Sequence, residues 1–185
     1  MTTTTARRFS VHEYHRIAEV GIIHPEERVE LIEGQIIQMA AKNPPHSATT
    51  NCASDYLKNI LQGLALVRVQ EPIQLNDYSE PEPDITVVQI HPRNYFERHP
   101  QPNEVFLVIE VSDPTLKFDR EVKAAAYASA AIADYWILDA NKQQVFVFRN
   151  PHSGTYEQQS ILPLEETISP LAFPEINILI EQLFP

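Results

Sequence analysis

Several things are scarce in this chain, and each scarcity removes a class of function. Only four of the 185 residues are glycine. None belongs to a Gly-rich loop that could cradle phosphates between a strand and a helix, so nucleotide-driven chemistry is disfavoured. The single cysteine, Cys52, excludes an internal disulfide and a Cys-rich zinc site. A reducing, cytoplasmic setting is expected, with Cys52 packed on a helix and nothing nearby to make it a nucleophile. No apolar run approaches the length of a membrane span. Positive charge is scarce too: 14 Lys and Arg face 25 Asp and Glu, for a net charge of −11. DNA-binding proteins usually carry a basic surplus, because counterion release dominates their affinity. Any nucleic-acid role must therefore rest on a local basic patch or on bound metal cations.

What is present suits a globular protein. The hydrophobic fraction of 43% is ordinary, and the length suffices for a buried core. "MTTTTARR" has no apolar stretch behind its arginines, so residues 1–8 are expected to be a disordered tail and 9–185 one domain. Ser10 and Gly21 bracket a short helix. "VELIEGQIIQMA" reads as a hairpin turning at Glu33-Gly34, and the segment after Pro44-Pro45 as a helix to about Gly63. "LVRVQEPIQL" and "DITVVQI" are strand candidates joined by the Pro-rich "YSEPEPD". "EVFLVIEVS" is apolar on both sides: Val105, Leu107, Ile109 and Val111 line one, while Phe106 and Val108 share the other with Glu110. That marks a central strand with helices on both faces. A helix over "LKFDREVKAAAYASAA" follows, then strands "DYWILD" and "QVFVFR", and a C-terminal "EINILIEQLF" whose period does not separate strand from helix. The order predicts an α/β or α+β fold, a central mixed β-sheet flanked by helices, preceded by an N-terminal helix and β-hairpin.

Three residues point to chemistry. Asp84 opens "DITVV", Glu110 sits inside the most apolar strand, and Lys123 lies on the helix leaving that strand. If the two strands are neighbours, the two carboxylates crowd together and call for a cation. Hard oxygen ligands plus water suit Mg2+, with Mn2+ as a substitute. Such an ion activates water and stabilises phosphoryl charge, and Lys123 would add a positive charge beside it. Plainer readings stand next to this one. Asp84 suits a turn, Glu110 could pair with a buried arginine, and Asp119 with Lys123 fits a surface i,i+4 ion pair.

"PEPDITVV" followed by "LVIEVSDPTLKFDREVKAAAYASAAIADYWILD" resembles the cyanobacteria-rich Uma-two type of restriction endonuclease family, within the PD-(D/E)XK nuclease superfamily. "VELIEGQIIQMA" and "PPHS" extend the resemblance over most of the chain. It implies a restriction-endonuclease-like core and a Mg2+-dependent site that hydrolyses DNA phosphodiesters. The superfamily acids fall on Asp84 and Glu110, as metal ligands. The lysine expected two residues after the second acid is replaced by Ser112, and the resemblance suggests that Lys123 takes over its charge. Glu30, His46 and Gln70 are possible additional site residues. Arg93, Arg98, Lys117 and Arg120 are the best local basic group, for contact with DNA phosphates. A homodimer is expected if both strands of a duplex are cut. The competing reading is a nuclease fold of weak or absent activity that binds nucleic acid or protein, and a third is an interaction protein with structural carboxylates.

Overall fold

The structure, a computed structural model, describes residues 6–113 and 115–185. The tail expected over the first residues therefore lies largely outside the described residues. Arg8, at its end, donates to the Glu33 carbonyl and pairs with the Glu33 carboxylate.

Helix α1 (Val11–Glu19) starts where the sequence predicts. Ser10 caps it and the Glu13 carboxylate reaches back to the Ser10 amide, a reciprocal capping box. Strands β1 (Val29–Ile32) and β2 (Gln35–Gln38) form the expected hairpin, with Ile32 opposite Gln35. Its two turn residues, Glu33 and Gly34, have φ of 51° and 77°. Positive φ at both central positions matches the twist of the flanking strands.

Helix α2 (Pro44–Ile60) is capped by the Asn43 side chain, with proline in its first turn, where no amide partner is lost. The main sheet then assembles from β3 (Leu66–Val69), β4 (Ile85–Val88), β5 (Val105–Ser112), β6 (Asp134–Asp139), β7 (Gln144–His152) and β8 (Thr155–Leu162), in the order β3-β4-β5-β6-β7-β8. Only β5 and β6 run parallel. The connection between them is α3, built as Leu116–Phe118, a wide turn Asp119–Lys123, and Ala124–Ser129. A parallel pair needs such a crossover. Within the wide turn the Ala124 amide bonds to the Asp119 carbonyl, five residues back. Such π-turns are uncommon and collect at functional sites.

Strand β5 is central, as expected. Leu107, Ile109 and Val111 pack under Ala53 and Leu57 of α2 and Leu61 at its C-terminal end, while Val108 packs with Tyr127 of α3 and with Ile32, Ile73 and Leu75. The alternation read from the sequence fails at one point. Val88 pairs with Val105 and Val87 with Leu107, so Phe106 is the extra residue of a bulge. Phe106 consequently joins the α2 side, edge-on to Phe173 at 5.3 Å, and Val105 joins the α3 side.

Three other expectations are corrected. The strand "LVRVQEPIQL" ends at Val69, because Gln70 turns to φ 53°. Strand β8 lies outside the strands expected from the sequence. It is a sheet-edge strand with the polar centre "EQQS", although Ser153-Gly154, both at positive φ, marks the hairpin that makes it. The C-terminal segment is neither a full strand nor a helix. Ile178–Leu179 (β10) pairs with Thr167–Ile168 (β9), and one 3-10 turn, Ile180–Leu183, follows. No helix among the described residues is long and apolar enough to cross a membrane.

The far half of the sheet is tied by Asp134, which is fully buried. Its carboxylate accepts from Trp136 Nε1 at 2.8 Å, Arg149 Nε at 2.8 Å and the Leu171 amide at 2.9 Å. Asp134→Ala would strand all three donors and leave a cation unpaired, so a loss of about 3–5 kcal/mol is expected. Thermal unfolding should show it as a fall of about 10 °C; an unchanged midpoint would reduce Asp134 to a bystander.

Candidate active site

The site grows from the register of β4 and β5. Ile85 pairs with Ile109, which sets Asp84 and Glu110 side by side at the same end of the two strands. Their hydrogen bonds interleave. The amide of Val111, the residue after Glu110, donates to Asp84 Oδ2 at 2.9 Å, and the Asp84 amide makes a long contact of 3.4 Å to Glu110 Oε2. Glu110 is therefore in the apolar strand because that strand's end forms the floor of a polar pocket.

Lys123 reaches the same floor from α3. It is 5% exposed, and its amine lies 3.0 Å from Glu110 Oε1 and 3.1 Å from Glu30 Oε2. The surface-pair reading of Asp119 and Lys123 is thus corrected. Asp119 is also buried, and it accepts from Ser112 Oγ at 2.5 Å. Ser112 shares the Glu110 face of β5, so the position where the resemblance expects a lysine is filled by a short hydroxyl bonded to α3. Tyr127, one turn beyond Lys123, donates its hydroxyl to Glu110 Oε1 at 2.7 Å. Lys123 and Tyr127 together occupy Oε1 and leave Oε2 facing Asp84. Sequence reasoning missed Tyr127, although it stands four residues after Lys123 on the same helix face.

The electrostatics follow from crowding. Burial pushes the Glu110 carboxyl well above its ordinary range, with Asp119, Asp84 and Glu30 adding to the push against Lys123. Burial alone would lower the Lys123 amine, but Glu110, Glu30 and Asp119 reverse this and hold it above the ordinary lysine range. Neighbouring carboxylates raise both groups, but for Glu110 burial itself is the larger cause. The pocket, about 240 Å³, is lined by five carboxylates (Glu30, Glu82, Asp84, Glu110, Asp119) and three fixed cations (Arg28, Lys42, Lys123).

Of the additional candidates, the structure brings in all three. Glu30 is buried on β1 and accepts from the Glu82 amide at 3.1 Å as well as from Lys123. Gln70 donates to Asp84 Oδ1 at 3.1 Å from its left-handed backbone. His46, in the first turn of α2, lies with Nδ1 2.9 Å from the Val111 carbonyl. A carbonyl only accepts, so Nδ1 carries the proton in that bond. Nε2 then sits buried, 3.0 Å from Asp84 Oδ1 but poorly aligned for a hydrogen bond, and without a partner among the described residues. The contact is an ion pair with Asp84 where the ring carries both protons, and sets a lone pair beside the carboxylate where it carries one.

The basic candidates are not brought together. Arg93 and Arg98 lie on the loop from β4 to β5, at the other end of these strands from Asp84 and Glu110, and they pair with Glu97 and Glu104. Lys117 and Arg120 are exposed on α3 outside the pocket lining, with Arg120 over the Phe146 ring at 4.7 Å. The cations that do line the pocket beside Lys123, Arg28 and Lys42, carry no signal in the sequence.

The donor set fits a hydrated hard cation. Among the described residues no three His, Cys, Asp or Glu side chains close on one ion, which disfavours a zinc cage. Mg2+ keeps several waters and needs only one or two carboxylates. Asp84 and Glu110 meet that need, with the unpartnered His46 Nε2 beside them.

The sequence profile of the Uma2 family, described as "putative restriction endonuclease", matches residues 11–181. The chain belongs to this family. A crystal structure described as a putative nuclease belonging to DUF820, from Anabaena variabilis ATCC 29413, is similar with a TM-score of 0.71. The identity is 19%, over 95% of this chain and 97% of that one, so the likeness is one of fold. A search of the curated proteins finds no match. The restriction-endonuclease-like core expected of this Uma2 member is thereby met.

The shared ammonium should dominate local stability. Lys123→Met leaves Glu30 and Glu110 buried without their cation, and about 3–5 kcal/mol should be lost in urea unfolding at neutral pH. Tyr127→Phe removes one charge-assisted bond and should cost about 1.5–3 kcal/mol. Equal losses in the two variants would contradict the central place given to Lys123.

Proposed function

We propose that this Uma2 protein is a Mg2+-dependent endonuclease that hydrolyses DNA phosphodiester bonds in the pocket between β1, β5 and α3. The observation that carries the reading is the arrival of Lys123 at Glu110 from the helix, beside Asp84, where the strand itself offers only Ser112. This gives two acids and one ammonium at one strand end, the grouping the superfamily uses. Asp84 and Glu110 would hold the ion, with water completing its shell; Mn2+ could replace Mg2+. When bound, the ion polarises a phosphoryl oxygen and makes its water more acidic.

The protein's own residues do the rest. Tyr127 and Lys123 fix Glu110 by one oxygen, which keeps the other directed toward Asp84. Gln70 and the Val111 amide fix Asp84 by one bond to each of its oxygens. Lys123 supplies positive charge next to the place where negative charge builds on phosphorus oxygens, a role that a preorganised cation performs without reorganising. Glu30 holds the amine from the other side, so it cannot swing out of the site. Each chain offers one such pocket, and a double-strand cut would therefore use a homodimer or two successive visits.

A second reading, a nuclease fold that binds without cutting, draws on the same lysine. Its amine is already engaged by two carboxylates. Plasmid cleavage with Mg2+ or Mn2+ separates the two. The parent should nick supercoiled DNA only with the ion, and EDTA should abolish nicking. Asp84→Asn and Glu110→Gln should lose both cleavage and the ion's effect on the melting temperature. Lys123→Gln, which keeps hydrogen-bond donors, should retain the ion's effect and lose about two to three powers of ten in rate. A folded parent that binds the ion yet never nicks DNA would leave the binding-module reading standing.

A further inference from the structure

Arg28 and Lys42 are the pocket's two cations that the nuclease reading leaves without a task. Both line the pocket from its hairpin side, at either end of the Arg28–Lys42 segment that contains β1 and β2. Met39 turns the chain back to Arg28, its amide on the Arg28 carbonyl at 2.9 Å and its sulfur 3.7 Å from the guanidinium. Between Met39 and Lys42 stand only Ala40 and Ala41, so that stretch of the lining is apolar and uncharged.

The two cations are engaged differently: Arg28 has a lining carboxylate, Glu82, as its partner, whereas Lys42 has no carboxylate at ion-pair distance among the described residues. Arg28 pairs with Glu82 at 2.9 Å, both side chains part-exposed, an ion pair worth about 1 kcal/mol or less. Lys42 has a neutral acceptor, Gln70 Oε1, and Gln70 in turn donates to Asp84 Oδ1. Lys42 is thereby connected to the candidate metal ligand through one amide, on the solvent side of it. The two cations also repel each other, and burial together with Arg28 lowers the Lys42 amine from its ordinary range. Two like charges set at one opening, one of them on an amide, leave donors free for an anion.

We infer that Arg28 and Lys42 hold substrate phosphate at the mouth of the pocket, and that they are this protein's phosphate-binding pair in place of the loop arginines. The inference rests on the nuclease reading and adds the part of the substrate each group touches. The charge count supports it. Five carboxylates against three cations repel a phosphodiester, but a divalent ion brings the lining to balance. Metal and DNA should then enter in order, and the rim cations add attraction once the floor is neutral. Arg28 can grip phosphate oxygens by two N–H groups, while Lys42 acts as a point charge.

The test is steady-state cleavage of a fluorescently labelled DNA duplex in Mg2+, with the same single strand as a second substrate, for the parent, Arg28→Ala, Lys42→Ala and Lys42→Arg. Each alanine variant should raise KM about tenfold, the weight of one charge-assisted hydrogen bond, with a far smaller fall in kcat. On the duplex, the dependence of log KM on log salt should flatten by about one for each phosphate that a variant no longer neutralises. Lys42→Arg should restore most of both. Both side chains are part-exposed or exposed, so the variants should fold, which their melting curves check. A parent that cleaves while both alanine variants keep its KM and salt slope overturns the rim proposal alone. A fall in kcat at constant KM overturns it as well, since the groups would then act on the chemistry rather than hold phosphate. A parent that neither binds nor cleaves DNA takes down the nuclease reading and this inference together.

Discussion

One ammonium group joins the two halves of this structure. Lys123 stands between Glu30 on the N-terminal hairpin and Glu110 on the central strand, and it is itself carried by the crossover helix. Three elements far apart in sequence thus share one buried cation. Desolvating these groups is expensive, so the arrangement contributes stability only while all members are present. This explains why the hairpin, which hydrogen-bonds only its own two strands as a sheet, still holds a fixed place over the sheet. Leu31 bridges to Glu80, Ile32 enters the α3-side core, and Glu30 closes on Lys123.

The π-turn in α3 belongs to the same constraint. Asp119 must meet Ser112 and Lys123 must meet Glu110, at positions two residues apart on one strand face. A strand advances about 6.6 Å over two residues, while four residues of α-helix advance about 6 Å. The match is close, but the helix also has to start from a bend directly after β5. Widening one turn places both Asp119 and Lys123 inward, and the regular helix resumes at Ala124. The short Ser112 fits this approach, its hydroxyl bonding directly to the Asp119 carboxylate.

How far the sequence can be read divides along physical lines. Elements whose signal is local are legible: the Ser10 capping box, the Glu33-Gly34 turn, the two-sided apolarity of β5. That Asp84, Glu110 and Lys123 come together depends on the two strands being neighbours, and the β4–β5 register meets that condition. What fails depends on events with no local mark. The bulge that exchanges Val105 and Phe106 arises from pairing with β4, and β8 is polar because it pairs with β7 alone and only its Tyr156 is buried. Arg93 and Arg98 sit close in sequence to the site strands but on the wrong connection. An antiparallel β4–β5 pair sends its joining loop to the end opposite Asp84. Lys42 and Arg28 are invisible for the converse reason, since the hairpin reaches the pocket only through tertiary packing.

The acidity of the whole chain and of the pocket have the same consequence. A protein with net charge −11 gains little from non-specific attraction to a polyanion. Its pocket, with more carboxylates than cations, adds a local barrier of the same sign. Under the proposed function, such a site would attract phosphate only once a cation has arrived. A metal ion would therefore do two separable things for this fold: satisfy the carboxylates, and cancel the negative field that an incoming phosphodiester meets. Affinity would become conditional on the ion rather than a standing property of the surface. That condition would set this protein apart from a basic DNA-binding module, where attraction precedes any chemistry, and would place control of the reaction in the few ångströms around Asp84 and Glu110.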